Sequence, residues 1–528
     1  MRRLLLASLL LASLDAQITT SQYDNARTGA NIHETVLNPH NVDVNRFGRV
    51  FRLPVDGDIY AQPLYLPNLA IPGKGTHNVV FVATEHDSVY AFDAAGVPRE
   101  PLWKVNFTDA ARRVTTIPLE NVSCPFLNPE IGITSTPVID PQSGTLYVLV
   151  RTKEAGRFWQ RLHALDVRTG REKLGGPVVI RASVESRIKS LFGVGAAQTV
   201  EFLSLHENPR AALLLTRGTL YLTWGSSCDV GPYYGWVLAY DAQTLRQKGA
   251  LNTAPEASLS GIWQSDTGPA ADEEGNVYTI TGNGVFNAAS GGRDFGDSVL
   301  KLGFTNAGFA VKDYFTPFDQ EQRNRTDADL GSGGPLLVPA QPGSSVRLLI
   351  AVGKGRELFV LNRERMGRFR TSNNRHAIQT VRLDGGVFGA PSYWEGHVYV
   401  GAQNDVLRDF IIEDNHLAPA SQGEMRFTNP GAVPAISANG STDGIVWLIE
   451  TSRGHTSDIP AVLHAYDARN VAHELFNSQQ NSDRDRAGAS LHFTVPVVAD
   501  GRVYVPASRE LDVYGLLGAA GRKAAMRQ

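Results

Sequence analysis

The chain has 528 residues, of which 42% are hydrophobic and 20% charged, and its formal net charge is −3. That apolar content beside so small a charge excludes intrinsic disorder, and the lack of a basic excess excludes a nucleic-acid partner of the usual electrostatic kind. Two cysteines are too few for a disulfide-rich scaffold, and no apolar run reaches the ~18–20 residues that span a bilayer as a helix.

Met1-Arg2-Arg3 is followed by a Leu/Ala/Ser run from Leu4 to Leu14. A basic start and a short apolar core read as a secretory signal peptide over residues 1–16, cleaved after Ala16 although Leu14 is a poor −3 residue. The protein is therefore expected to be periplasmic or secreted, where a disulfide is permitted. Residues 17–48 form an N-terminal extension. Arg49–Val55 then reads as a lone strand.

From there the chain repeats itself. Val89-Tyr90-Ala91-Phe92-Asp93 returns as Leu162–Asp166, Val237–Asp241 and Leu463–Asp467, with weaker copies at Val299–Leu302, Leu358–Asn362, Val406–Ile412 and Leu511–Tyr514. Each copy follows a β-branched run (Val79–Ala83, Thr145–Val150, Thr219–Trp224, Asn276–Gly282, Arg347–Gly353, Gly396–Val400, Ile445–Glu450, Arg502–Pro506), often after a turn such as Ser143-Gly144 or Asp500-Gly501. Turn-bounded runs of this kind are antiparallel strands. Eight such units without intervening amphipathic helices predict an all-β, eight-bladed β-propeller of four-stranded antiparallel sheets over residues 49–516, with a tail at 517–528. The last unit has three strands, so the strand at Arg49–Val55 is expected to complete it and close the ring, which removes two open sheet edges.

Ala164-Leu165-Asp166-Val167-Arg168-Thr169-Gly170 resembles the Ala-x-Asp-x-x-Thr-Gly blade signature of the quinoprotein alcohol dehydrogenase-like family. Thr281-Gly282-Asn283-Gly284-Val285-Phe286-Asn287, Gly296-Asp297-Ser298 and Thr316-Pro317-Phe318-Asp319 resemble its site-bearing segments, as does Gly225-Ser226-Ser227 running on to Gly235–Asp241. The resemblance implies pyrroloquinoline quinone (PQQ) and Ca²⁺ as cofactors. It implies Trp263 as the aromatic floor under the quinone, Ser226 as a cofactor hydrogen-bonder, and Asn283 as a cofactor contact and metal ligand. It implies Asp297 as the base that takes the alcohol proton and as a metal ligand. The family's remaining ligand, a third-blade glutamate, aligns with Val230, so Asp229 one residue earlier is the substitute. The family's adjacent Cys-Cys pair is absent. No Cys-x-x-Cys-His occurs, so no haem c is expected and a separate electron acceptor is required.

Cys124 and Cys228 fall beside neighbouring blades two and three. In an exported protein they are expected to form a disulfide that pins the insertion 106–129 over the propeller mouth. Two functions follow. One is an exported enzyme oxidising an alcohol or sugar. The other is a non-catalytic propeller of the same ancestry, a binding or assembly scaffold with a protein partner.

Overall fold

The computed structural model describes residues 16–124, 127, 129–187, 198–451 and 459–518. Residues 1–15 of the expected signal peptide, 1–16, and most of the expected tail, residues 519–528, lie outside that range.

Among the described residues eight mainly antiparallel blade sheets follow one another along the chain, with two small two-stranded sheets besides. Blade 1 is built from Leu64–Ile71, Gly75–Thr84, Ser88–Asp93 and Trp103–Asn106. In blades 2 to 7 the innermost strands are Val138–Asp140, Leu214–Thr216, Ala270–Ala271, Leu336–Leu337, Ser392–Trp394 and Ala435–Asn439. Blade 8 starts at Val497–Ala499, which pairs with Arg502–Tyr504. The chain turns at Arg509 (φ 60°), and Glu510–Leu516 then pairs antiparallel with Phe47–Pro54. The N-terminal strand thus closes the last blade, as the incomplete final repeat requires.

The repeated signature has a physical basis. Ala91, Ala164, Ala239 and Ala465 are wholly buried where blade packs on blade, so a larger side chain there would overpack the contact. The aspartate two residues later begins the next turn. Asp93, Asp166, Asp241 and Asp467 each accept a hydrogen bond from the backbone N–H two residues on, at 2.7–3.1 Å. That is an Asx turn, which orders the link to the fourth strand. His163 and His464 repeat for the same kind of reason, each holding a carboxylate (Glu172 at 2.8 Å, Glu474 at 2.7 Å) across the blade.

The N-terminal extension is not an appendage. It crosses the end of the central channel where the first and second strands of each blade join, and it bonds to every blade. Ile18 exchanges two backbone bonds with Tyr65 of blade 1, and Thr19 O accepts from Ile139 N of blade 2. Asn25 Nδ2 donates to Leu215 O of blade 3. Asn25 O, Ala26 O, Thr28 O and Gly29 O accept from Ala271, Leu337, Tyr393 and Ile436 of blades 4 to 7, at 2.7–2.9 Å. Tyr23 Oη accepts from Val498 N, and Asn31 Nδ2 donates to Val498 O, of blade 8. Buried Arg27 is the hub, donating to Thr20 Oγ1 and to the carbonyls of Ser21, Pro269 and Leu213.

Candidate functional site

The second-to-third strand turns and the links between blades gather at the opposite end of the channel. Trp263 lies on the link from blade 3 to blade 4 and is half-buried. Gly225, Gly261 and Gly282 surround it. A Cβ at these positions would come within 3.2, 3.3 and 2.9 Å of the indole, so only glycine leaves the ring its place. Tyr233 meets the indole edge-on, with ring centroids 5.9 Å apart. Ser226 ends the second strand of blade 3, fully buried, and its hydroxyl has no protein partner; the hydroxyls of Ser227 and Ser260 are likewise unpaired.

Asn283 follows Gly282. Its N–H donates to Asp329 Oδ1 (2.6 Å) and its Nδ2 to Asp327 Oδ1 (2.9 Å), while its side-chain oxygen is unpaired. Lys354 Nζ reaches both acids, Asp329 Oδ2 at 2.6 Å and Asp327 Oδ1 at 2.9 Å. Burial lowers the affinity of this ammonium for its proton, but the two carboxylates outweigh that and hold it above the ordinary lysine range. Burial also pushes the Asp329 carboxyl up, against the pull of Lys354.

Asp297, the expected base and metal ligand, is held by two hydrogen bonds. It is wholly buried, and its two oxygens accept from Leu330 N (3.0 Å) and Gln320 Nε2 (3.3 Å). Burial, with Asp329 beside it, pushes its carboxyl up to about 8. A general base must be ionised at the working pH and must reach its proton. A carboxyl held up to about 8 favours its protonated form at neutral pH, and Asp297 is closed off from solvent. Asp229 is exposed, but its Oδ1 accepts from Tyr233 Oη (2.6 Å). Cys124 and Cys228 are joined, with S–S 1.98 Å and Cα atoms 5.2 Å apart. Among the described residues no group of three or more His, Cys, Asp or Glu is arranged to hold a metal ion.

Blades 1 and 2 contribute Glu85, Asp87 and Arg151, all buried and each with unpaired atoms. Burial raises Glu85 to about 7 and lowers Arg151 to about 10. Sequence reading missed Asp327, Asp329 and Lys354. The available signal was Asp327-Ala328-Asp329-Leu330-Gly331, a short acidic step into a glycine-rich strand entry just after Thr316–Asp319.

Fold and mouth together define an eight-bladed propeller with an aromatic-floored, polar-walled opening. The quinohemoprotein alcohol dehydrogenase of Comamonas testosteroni has this fold, matching over 95% of this chain and 80% of that one, at 14% identity and a TM-score of 0.62. A europium-containing methanol dehydrogenase matches over 93% and 81%, at 13% identity and 0.50. BamB from Moraxella catarrhalis matches over 89% and 99%, at 13% identity and 0.50. No protein-family model and no curated protein matches the chain. No helix among the described residues is long and apolar enough to cross a membrane.

Proposed function

We propose that this chain is an exported, quinone-binding propeller that oxidises an alcohol or sugar with a separate electron acceptor. The observation that carries the reading is Trp263, held in a glycine cradle beneath buried hydroxyls that have no protein partner. A flat, multiply carboxylated quinone such as PQQ fits that donor set, because an unpaired buried hydroxyl is costly until a ligand satisfies it. When bound, the quinone supplies the two-electron acceptor for an alcohol carbon. Trp263 would supply an apolar face that excludes water, and the Ser226 hydroxyl would hold a polar group of the quinone.

Asp329 is the base in this reading, in place of Asp297. Burial raises the Asp329 carboxyl and the Lys354 ammonium on its Oδ2 opposes that rise, while buried Asp297, raised as well, braces the Leu330 backbone. Asp329 is chosen for its place, between Asn283 N and Lys354 Nζ and beside the glycine cradle of Trp263. The cation set does not fit Ca²⁺. Asn283 Oδ1 is free, but Asp229 is spent on Tyr233, Asp297 is turned away, and Lys354 already neutralises Asp329. No step is derived through a metal. That incomplete set also favours the second reading, a non-catalytic binding scaffold.

Titration with PQQ, followed by quinone absorbance and by dye reduction over an alcohol and sugar panel, separates the two. Saturable binding at micromolar PQQ is expected, weakened about 100-fold by Trp263→Ala. Asp329→Asn should bind and fail to turn over, with roughly a 10³-fold loss, within the range that general-base removal costs. Absence of binding leaves the scaffold.

A further inference from the structure

Trp263 needs a wall on its Tyr233 side, and the backbone that supplies it is strained. Cys228 and Asp229 are consecutive non-glycine residues in the left-handed region (φ 53° and 57°). Such a pair persists only where the surroundings over-determine it. Two cross-ties do so here. The disulfide fastens Cys228 to Cys124, which is buried beside Ile117, Val122 and Ile131. Tyr233 Oη donates to Asp229 Oδ1 at 2.6 Å and folds the turn back on itself, while Tyr233 O accepts from Leu259 N on the Trp263 link. The ring of Tyr233 then lies edge-on against the indole and within 3.1 Å of where a Cβ on Gly261 would be.

We infer that the Cys124–Cys228 disulfide and Tyr233 form a redox-sensitive clamp that positions Trp263, so that reduction of one bond loosens the floor of the mouth. A dithiol attacks the bond by exchange. The protein disulfide gains two electrons and two protons to become two thiols, and the dithiol leaves as its own disulfide. The inference deepens the quinone reading above, but the clamp itself needs no cofactor.

The test is made on the full chain without quinone. Dithiothreitol, monitored by a thiol count of two, is expected to raise acrylamide quenching of tryptophan emission about twofold, with far-ultraviolet circular dichroism unchanged. Trp263→Phe should abolish the difference between oxidised and reduced protein. Tyr233→Phe keeps the ring but removes the hydroxyl, and should give part of the same change without reductant. A reduced wild type with unaltered quenching overturns the clamp. So does a change that persists in Trp263→Phe, since it then arises elsewhere. Because reductant acts on folded wild type, the result does not depend on whether Cys124→Ser/Cys228→Ser folds. PQQ is titrated afterwards into both forms. About tenfold weaker binding after reduction supports both readings. A quenching change with no PQQ binding to either form keeps the clamp and removes the quinone.

Discussion

The two ends of the channel are built from the same eight blades and differ in how far their buried polar groups are satisfied, Gln22 Oε1 being an unpaired atom in the plug. At the plugged end, residues 18–31 meet the inner strands of all eight blades, and Arg27 spends its guanidinium on the plug's own oxygens and on two blade carbonyls. At the mouth, Ser226, Ser227, Ser260, Asn283 Oδ1, Glu85 and Asp87 all carry buried atoms without protein partners. Buried polar groups are normally satisfied, so a cluster that is not marks a place awaiting water or a ligand. The plugged end is therefore structural, and the mouth is where a ligand is expected.

The strongest way to break this contrast is at Arg27. Arg27→Met strands carbonyls in the plug and on blades 3 and 4, and should cost about 3–5 kcal/mol in denaturant unfolding. A loss below about 1 kcal/mol would mean that the plug is not part of the closed ring.

A comparable effect, spread over several pH units, comes from Asp297. Its folded value of about 8 lies above the unfolded one, so the folded state binds the extra proton. The stability this gives is fully present below the unfolded pKa and is lost as pH rises towards 8, at about 1.4 kcal/mol per pH unit while the group titrates. Asp297→Asn should flatten the stability–pH curve between roughly pH 4 and 8 by about that slope. An unchanged slope shows that the carboxyl is not held protonated.

The smallest effect sharpens the contrast from the mouth side. The Ser226 hydroxyl has no protein partner, so Ser226→Ala should shift stability by less than about 0.5 kcal/mol in the same unfolding assay. A loss above about 1 kcal/mol would show that the hydroxyl is satisfied within the fold.

Much of this was legible beforehand, and the reason differs from element to element. The strands, the turns and the eightfold count follow from local pattern. A buried Ala and an Asx-turn Asp recur because every blade makes the same packing contact and the same turn. Closure by the strand read at Arg49–Val55 followed from counting strands in the last repeat. Trp263 and Asn283 carried family motifs and do line one opening. Asp329 and Lys354 were not legible. They lie 46 and 71 residues after Asn283, and their meeting depends on how blades 4 and 5 face each other. The plug was invisible because its residues bond to eight separate strands and have no period of their own.

What the sequence by itself determined is thus the repeated sheet, its turns and the ring, because period-two apolarity and turn chemistry act over a few residues. Tertiary structure decided which carboxylate keeps its proton, which hydroxyls go unpaired and which end of the channel is filled. Those properties come from desolvation and from contacts between segments as much as 475 residues apart, such as Tyr23 with Val498, and no local pattern encodes them.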